Sequence, residues 1–163
     1  MKKHIRLSIL AVIAINLVFL TGCQGIWTSG PRYDTVKNSL IPEPCKGLVI
    51  IYAKSGFWGG GPNKWKIYAN GQLLTKKFKL GTFYSYQADP GELRLSTKNN
   101  FFMSPVASHI SISQPTLQIM SNLTYYVEAG FYGGAQVDFL KFEQVLKEKG
   151  EKGIKDCKWI NHP

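Results

Sequence analysis

Turn signals recur along this chain at intervals too short for long helices. Asn70-Gly71, Asp89-Pro90-Gly91, Gln114-Pro115, Ser121-Asn122 and Gly133-Gly134 punctuate short runs rich in Val, Ile, Tyr and Phe. Asn and Gly tolerate positive φ, so Asn70-Gly71 is the strongest hairpin signal, and Pro90-Gly91 marks a second turn. Residues 47–54, GLVIIYAK, form an apolar run that suits a buried strand. Residues 64–69 alternate, with Trp65, Ile67 and Ala69 on one face. Strands at 72–77 and 82–88 follow, the latter with Tyr84 and Tyr86 on a shared face. At 92–97, Leu93 and Leu95 point inward and Glu92, Arg94 and Ser96 outward. Further strands are expected at 106–113, 116–120, 124–131 and 136–145. This spacing predicts an all-β fold, a single antiparallel β-sandwich of about seven to nine strands. Only residues 146–157 read as a helix. Glu148–Lys152 and Glu151–Lys155 are spaced i,i+4 with Glu leading, and Leu146, Gly150 and Ile154 share a face. Gly150 and Gly153 weaken that helix by about 1 kcal/mol each relative to Ala. A residue without a side chain would also let the helix lie close on a sheet.

The N-terminus is built differently. Residues 1–6 carry Lys2, Lys3 and Arg6 and no acid, and residues 7–20 are apolar apart from Ser8 and Asn16. That order is the order of a secretory signal peptide, and the apolar run falls short of the roughly 20 residues of a membrane-spanning helix. It closes on Leu20-Thr21-Gly22-Cys23, which resembles the lipobox of bacterial lipoproteins. The resemblance implies a diacylglyceryl group on the Cys23 thiol, cleavage between Gly22 and Cys23, and acylation of the new α-amine. Each buried methylene adds about 0.8 kcal/mol of membrane affinity, and more than one chain gives stable anchoring. The alternative is an ordinary secreted protein in which Cys23 is a plain thiol. Gln24, where an Asp would signal retention in the inner membrane, favours by analogy the periplasmic side of the outer membrane. The expected organisation is a signal peptide at 1–22, a lipidated cysteine and flexible tether at 23–44, and a β-sandwich domain at 45–163. Gly25, Ser29, Gly30, Pro31, Pro42 and Pro44 interrupt regular structure in the tether. About 20 such residues reach roughly 65–70 Å extended, or about 25 Å as a coil.

The formal charge of +10 falls to +7 once Lys2, Lys3 and Arg6 leave with the signal. An envelope address argues against nucleic acid as the partner of this basic chain. Anionic lipid headgroups or cell-wall carboxylates are the natural alternatives, set against a basic surface that serves solubility alone, since the lysines are spread along the sequence. Lys76, Lys77 and Lys79 are the densest set and read as the exposed side of a strand. Cys45 and Cys157 remain after lipidation of Cys23. In an oxidising compartment an even pair reads as a disulfide. Closing a loop of about 110 residues would stabilise the domain by up to about 4–5 kcal/mol in the chain-entropy model. Two separate buried or free thiols are the competing reading.

The run Tyr68-Ala69-Asn70-Gly71-Gln72-Leu73, then Leu80-Gly81-Thr82-Phe83, Asp89-Pro90-Gly91-Glu92-Leu93 and Asn122-Leu123-Thr124-Tyr125-Tyr126-Val127, has a familiar rhythm. It resembles a domain of unknown function found in small bacterial lipoproteins, in the style of PEGA-type and prealbumin-like sandwich modules. The likeness covers residues 48–159, implies the sandwich and brings no catalytic residues.

Catalytic patterns are missing from the sequence. There is no Gly-x-Ser-x-Gly elbow, no His-Glu-x-x-His and no CxxC or HxxxH spacing for a metal. His109 falls in an expected strand, and Gly59-Gly60-Gly61 lacks the Gly-Lys-Ser/Thr of a phosphate loop. No cofactor is implied. The one candidate binding surface is aromatic: Phe57 and Trp58 in one loop, Phe101, Phe102 and Met103 in another. Together they would form an apolar patch for a partner, or fold back to plug the end of the core. The expected function is non-enzymatic: a lipid-anchored envelope module that contacts a protein or peptidoglycan. A glycan- or lipid-binding module using the aromatic loops is the alternative, and a hydrolytic enzyme comes last.

Overall fold

A computed structural model of the chain describes residues 30–54, 64–99, 115–134 and 137–160. These residues form β1 (Gly47–Ala53), β2 (Trp65–Ala69), β3 (Gln72–Phe78), β4 (Thr82–Ala88), β5 (Gly91–Asn99), β6 (Thr116–Ile119), β7 (Thr124–Gly134), β8 (Val137–Val145) and β9 (Lys158–Trp159). A helical turn, α1 (Tyr33–Val36), continues into a 3-10 turn at Lys37–Ser39, and α2 (Lys147–Ile154) precedes β9. The strands make a five-stranded sheet ordered β8-β7-β1-β4-β9 and a four-stranded sheet ordered β3-β2-β5-β6. Val49, Ile51, Val127, Leu140 and Phe142 of the first sheet pack with Trp65, Ile67, Phe78, Leu95 and Leu117 of the second in one apolar core. The all-β sandwich is therefore present. Most pairings are antiparallel, but β1–β7 and β4–β9 are parallel. The chain leaves the five-stranded sheet twice, for β2–β3 and for β5–β6, and returns each time beside β1, first as β4 and then as β7. The strand expected at 106–113 lies outside the described residues.

Local patterns explain the elements. Asn70 and Gly71 take φ of 47° and 82°, the twist a two-residue hairpin needs. The Asn70 side chain then ties that hairpin to β5: its amide donates to the Glu92 carbonyl at 3.1 Å, and Arg94 N–H donates to its Oδ1 at 2.8 Å. Leu93 and Leu95 face inward, and Trp65, Ile67 and Ala69 are buried, as the alternation predicts.

All seven residues of β1 are buried. One face, Val49-Ile51-Ala53, meets the four-stranded sheet. The other, Leu48-Ile50-Tyr52, joins Phe83 and Tyr126 beneath a third layer of Tyr33, Ile154 and Cys157. This layer corrects the expected tether. From Pro31 onward the chain runs down the outer face of the five-stranded sheet rather than free of it. Tyr33 N–H donates to the Cys157 carbonyl at 3.2 Å, and the Tyr33 ring meets Phe83 edge-on at 5.8 Å. The prolines and glycines were read as breakers, yet Tyr33, Val36 and Leu40 sit at helical spacing and all pack on this face.

α2 lies close on the same face because it is built from glycine where it touches. A Cβ on Gly150 would fall within the Tyr126 ring, and one on Gly153 would stand 2.7 Å from Tyr52 Oη. Leu146, expected on the buried face, is instead 78 % exposed as the residue before the helix. Helix propensity alone makes Gly150→Ala stabilising by about 1 kcal/mol. The packing makes it destabilising by about 1–3 kcal/mol, read as a lower urea midpoint, while the exposed Lys152→Ala stays within about 0.5 kcal/mol of the parent. A raised midpoint in Gly150→Ala would refute the close approach.

Candidate functional site

Cys23 lies outside the described residues, as do Phe57, Trp58, Phe101, Phe102, Met103 and His109. The strand ends that flank the two aromatic segments are described. β1 ends and β2 begins at the same end of the sandwich as the close of β5, since Trp65 is the register partner of Asn99 and the Gly81 N–H donates to the Ala53 carbonyl at 2.8 Å.

The expected bridge between Cys45 and Cys157 is absent: both thiols are free. Cys45 lies in the turn before β1, where its carbonyl accepts from Ser121 Oγ at 3.2 Å. Cys157 lies beyond the other end of β1, where its thiol donates to the Ala53 carbonyl at 3.4 Å. Seven residues of strand separate the two sites by about 20 Å, whereas a disulfide needs Cα atoms within about 7 Å. Both cysteines do meet the same sheet, but at opposite ends of β1. Burial and then the Asp156 charge push the Cys157 thiol up to about 12, so it stays protonated and unreactive at neutral pH.

Beneath α2 the structure gathers polar groups that sequence patterns did not reveal. The Tyr33 and Tyr126 hydroxyls share a hydrogen bond of 3.0 Å, and Tyr126 donates to Glu151 Oε1 at 3.4 Å. Tyr126 has one proton, so donation to Glu151 makes Tyr33 the donor between the phenols. Beside them Tyr52 donates to Glu128 Oε2 at 3.0 Å, and Lys54 Nζ stands 2.8 Å from Glu128 Oε1. Burial first, then hydrogen bonding to their partners, raise the Tyr52 and Tyr126 phenols far above their ordinary value. Burial alone would raise the Glu128 carboxyl, but Lys54 and Tyr52 outweigh it and hold it below its ordinary range. Every phenol here is a fixed donor and Glu128 a fixed acceptor, an arrangement that clamps α2 and the N-terminal segment to the sheet. Among the described residues no group of three or more His, Cys, Asp or Glu is placed to hold a metal ion.

Charge is divided across the molecule. Asp34, Glu128, Glu143, Glu148, Glu151 and Asp156 all belong to the helix-covered side of the five-stranded sheet or its covering layer. The stretch between Glu43 and Asp89 holds seven lysines and no acid, and it supplies β2, β3 and the turn that crosses from β3 to β4 in the other sheet. Lys64, Lys76 and Lys77 are exposed, and Lys66 and Lys79 half-buried. Lys79 is held in the β3–β4 turn by Thr82, whose hydroxyl donates to the Lys79 carbonyl at 2.6 Å and accepts from its N–H at 3.2 Å. Partial burial, then the charges of Lys64 and Lys158, lower the Lys79 ammonium from its ordinary value. Three lysines from three separate strand ends thus share one end of the sandwich. The signal missed in the sequence was the gap between acids, which spacing among lysines does not show.

No protein-family model, curated protein or solved structure matches this chain.

Two measurements check this geometry. In native protein a maleimide should label Cys45 rapidly and Cys157 only after unfolding; two unreactive thiols before reduction would restore the bridge. A carboxyl with a depressed folded pKa stabilises fully above its unfolded value, about 4.3, and loses that contribution as pH falls through the folded one. Glu128→Gln should therefore lower the urea midpoint at pH 7, and its gap from the parent should close as pH falls toward 3. A gap independent of pH would contradict the ion pair.

Proposed function

We propose that the mature protein is a lipid-anchored module of the bacterial envelope, held on the periplasmic side of the outer membrane through Cys23, and that it acts by contact with an envelope protein or the cell wall rather than by catalysis. The observation that carries this reading is the end-to-end layout of the described chain. The segment leading from Cys23 joins the domain at Pro31, where Trp159 N–H donates to the Pro31 carbonyl at 2.9 Å. It is spent by Cys45 at the far end of the sandwich. That far end exposes Ile41, Met120 and Leu123, at 66 %, 59 % and 44 %. Their backbones lie close: the Leu123 carbonyl accepts from Leu48 N–H at 2.9 Å, the Ile41 carbonyl accepts from the Gln87 amide at 3.0 Å with Leu48 and Gln87 register partners, and Met120 begins the turn that leads to Leu123. An anchor at one end and apolar side chains at the other suit a module that holds out a contact surface. The buried phenols and the protonated Cys157 belong to the architecture. A second reading, glycan or lipid binding by the aromatic segments that contain Phe57, Trp58, Phe101 and Phe102, draws on the shared end of their flanking strands.

Metabolic labelling with a clickable fatty acid should mark the wild-type protein and leave Cys23→Ala unmarked. A photo-crosslinker at Met120 or Leu123 should trap a discrete adduct in intact cells, and one at Lys76 should not. An unlabelled wild type would remove the anchor, and monomer alone at both apolar positions would remove the contact role.

A further inference from the structure

We propose that the basic end of the sandwich, carrying Arg32, Lys64, Lys79 and Lys158, docks onto the anionic headgroups of the bilayer in which Cys23 is anchored, so that the domain stands on the membrane in one orientation. This rests on the lipid anchor proposed above.

Three observations on the described residues converge on this end. The first is where the anchored chain enters. Arg32 bridges to Lys158 in the strand ladder, Lys158 N–H donates to the Gly81 carbonyl at 3.0 Å, and Gly81 N–H donates to the Ala53 carbonyl. The entry point, the lysine-bearing β3–β4 turn and the end of β1 are therefore neighbours. The second is length. Seven residues lie between Cys23 and Pro31, so the covalent path from the lipidated residue to the docked chain spans at most about 29 Å. The expected tether was more than twice as long. Whatever faces the bilayer across so short a leash is held there at high effective concentration. The third is charge. Lys64 and Lys79 pair with no carboxylate among the described residues, and the stretch that supplies both contains no acid. Lys54 at this end is paired to Glu128, and Asp34, Asp138 and Asp156 stand against Arg32, Lys64, Lys79, Lys155 and Lys158, which leaves the local balance positive. Surface lysines are screened beyond about 8 Å at physiological salt. Attraction to a headgroup layer therefore requires contact, which a domain on a long, free tether would seldom keep.

A membrane is the occupant favoured over a soluble acidic partner because the anchor already delivers this end to it. The opposite end, with Lys46 paired to Glu43 at 3.2 Å, faces away.

The test uses the mature lipidated protein reconstituted into vesicles of phosphatidylethanolamine alone or with 30 % phosphatidylglycerol (about that of an anionic leaflet, where each basic residue gains affinity), footprinted with an amine-reactive reagent and read by mass spectrometry. The acylated N-terminal peptide is measured in the same digest. Lys64, Lys79 and Lys158 should lose reactivity roughly threefold or more in the anionic vesicles, the protection should vanish in 1 M salt, and Lys46 and Lys147 should not change, as expected of an electrostatic contact. In the double variant Lys64→Gln/Lys79→Gln, Lys158 should label equally in both vesicles. Equal labelling of the acylated wild type in the two vesicles, or protection of Lys46 and Lys147 instead, would overturn the docking. An N-terminal peptide without acyl chains would overturn the anchor itself, and the docking with it.

Discussion

β1 is buried along its whole length on both faces, and the rest of the molecule answers to that constraint. A central strand in a sandwich needs only one apolar face covered by the opposite sheet. Here Leu48, Ile50 and Tyr52 point the other way, and each large apolar side chain taken from water is worth about 1.5–3 kcal/mol. Something must cover them. The four-stranded sheet cannot, so the cover comes from both ends of the domain: Tyr33, Val36 and Leu40 from before β1, Ile154 and Cys157 from after β8. The N-terminal segment is therefore part of the fold, and its packing shortens the free chain.

The cover carries polar atoms, and their satisfaction decides how it sits. Tyrosine brings a large apolar ring with a hydroxyl that needs a partner when buried. Tyr33 and Tyr126 satisfy each other and reach Glu151; Tyr52 reaches Glu128, which Lys54 neutralises at the rim. Both chains of donors end on carboxylates at the edge of the covered face, where solvent can still reach them. This draws acids to the helix side: Glu143 is met by Lys149 at 3.5 Å and Glu151 by Lys147 at 3.9 Å. Among the described residues nothing covers the outer face of the four-stranded sheet in this way, and lysine on β3 and Lys66 on β2 suit that face and the β3 edge to water.

How much of this could be read from the chain follows the range of each interaction. The Asn70-Gly71 turn, the alternation of Trp65-Ile67-Ala69 and Leu93-Leu95, and a buried strand in the apolar run at 47–54 are local and legible, whereas the cover on the second face of β1 is not. The glycines of α2 were legible as a means of close approach, though not their targets, since Tyr126 and Tyr52 lie on strands far away in sequence. Tyr33 was misread because Pro31, Pro42 and Pro44 mark loops as readily as tethers, and only the three-dimensional demand of the uncovered β1 face distinguishes them. The cysteine pair failed for a similar reason: proximity of two chain ends to one strand says nothing about which end of the strand each meets. The charge partition was present in the sequence as an absence of acids, a pattern that counting lysines cannot detect.

Orientation is the consequence that links these features. A domain on a flexible coil of about 20 residues samples every attitude toward the surface that holds it, at separations of about 25 Å. With residues 31–46 folded onto the sheet, seven residues separate Cys23 from the docked chain, which enters at one end of the sandwich. β1 alone sets about 20 Å between that end and the turn holding Cys45. Under the proposed anchoring, the distance of Ile41, Met120 and Leu123 from the bilayer is then fixed by strand length rather than by the statistics of a tether. Under that anchoring, the outer face of β1, by drawing the N-terminal segment onto itself, would turn a leash into a stand.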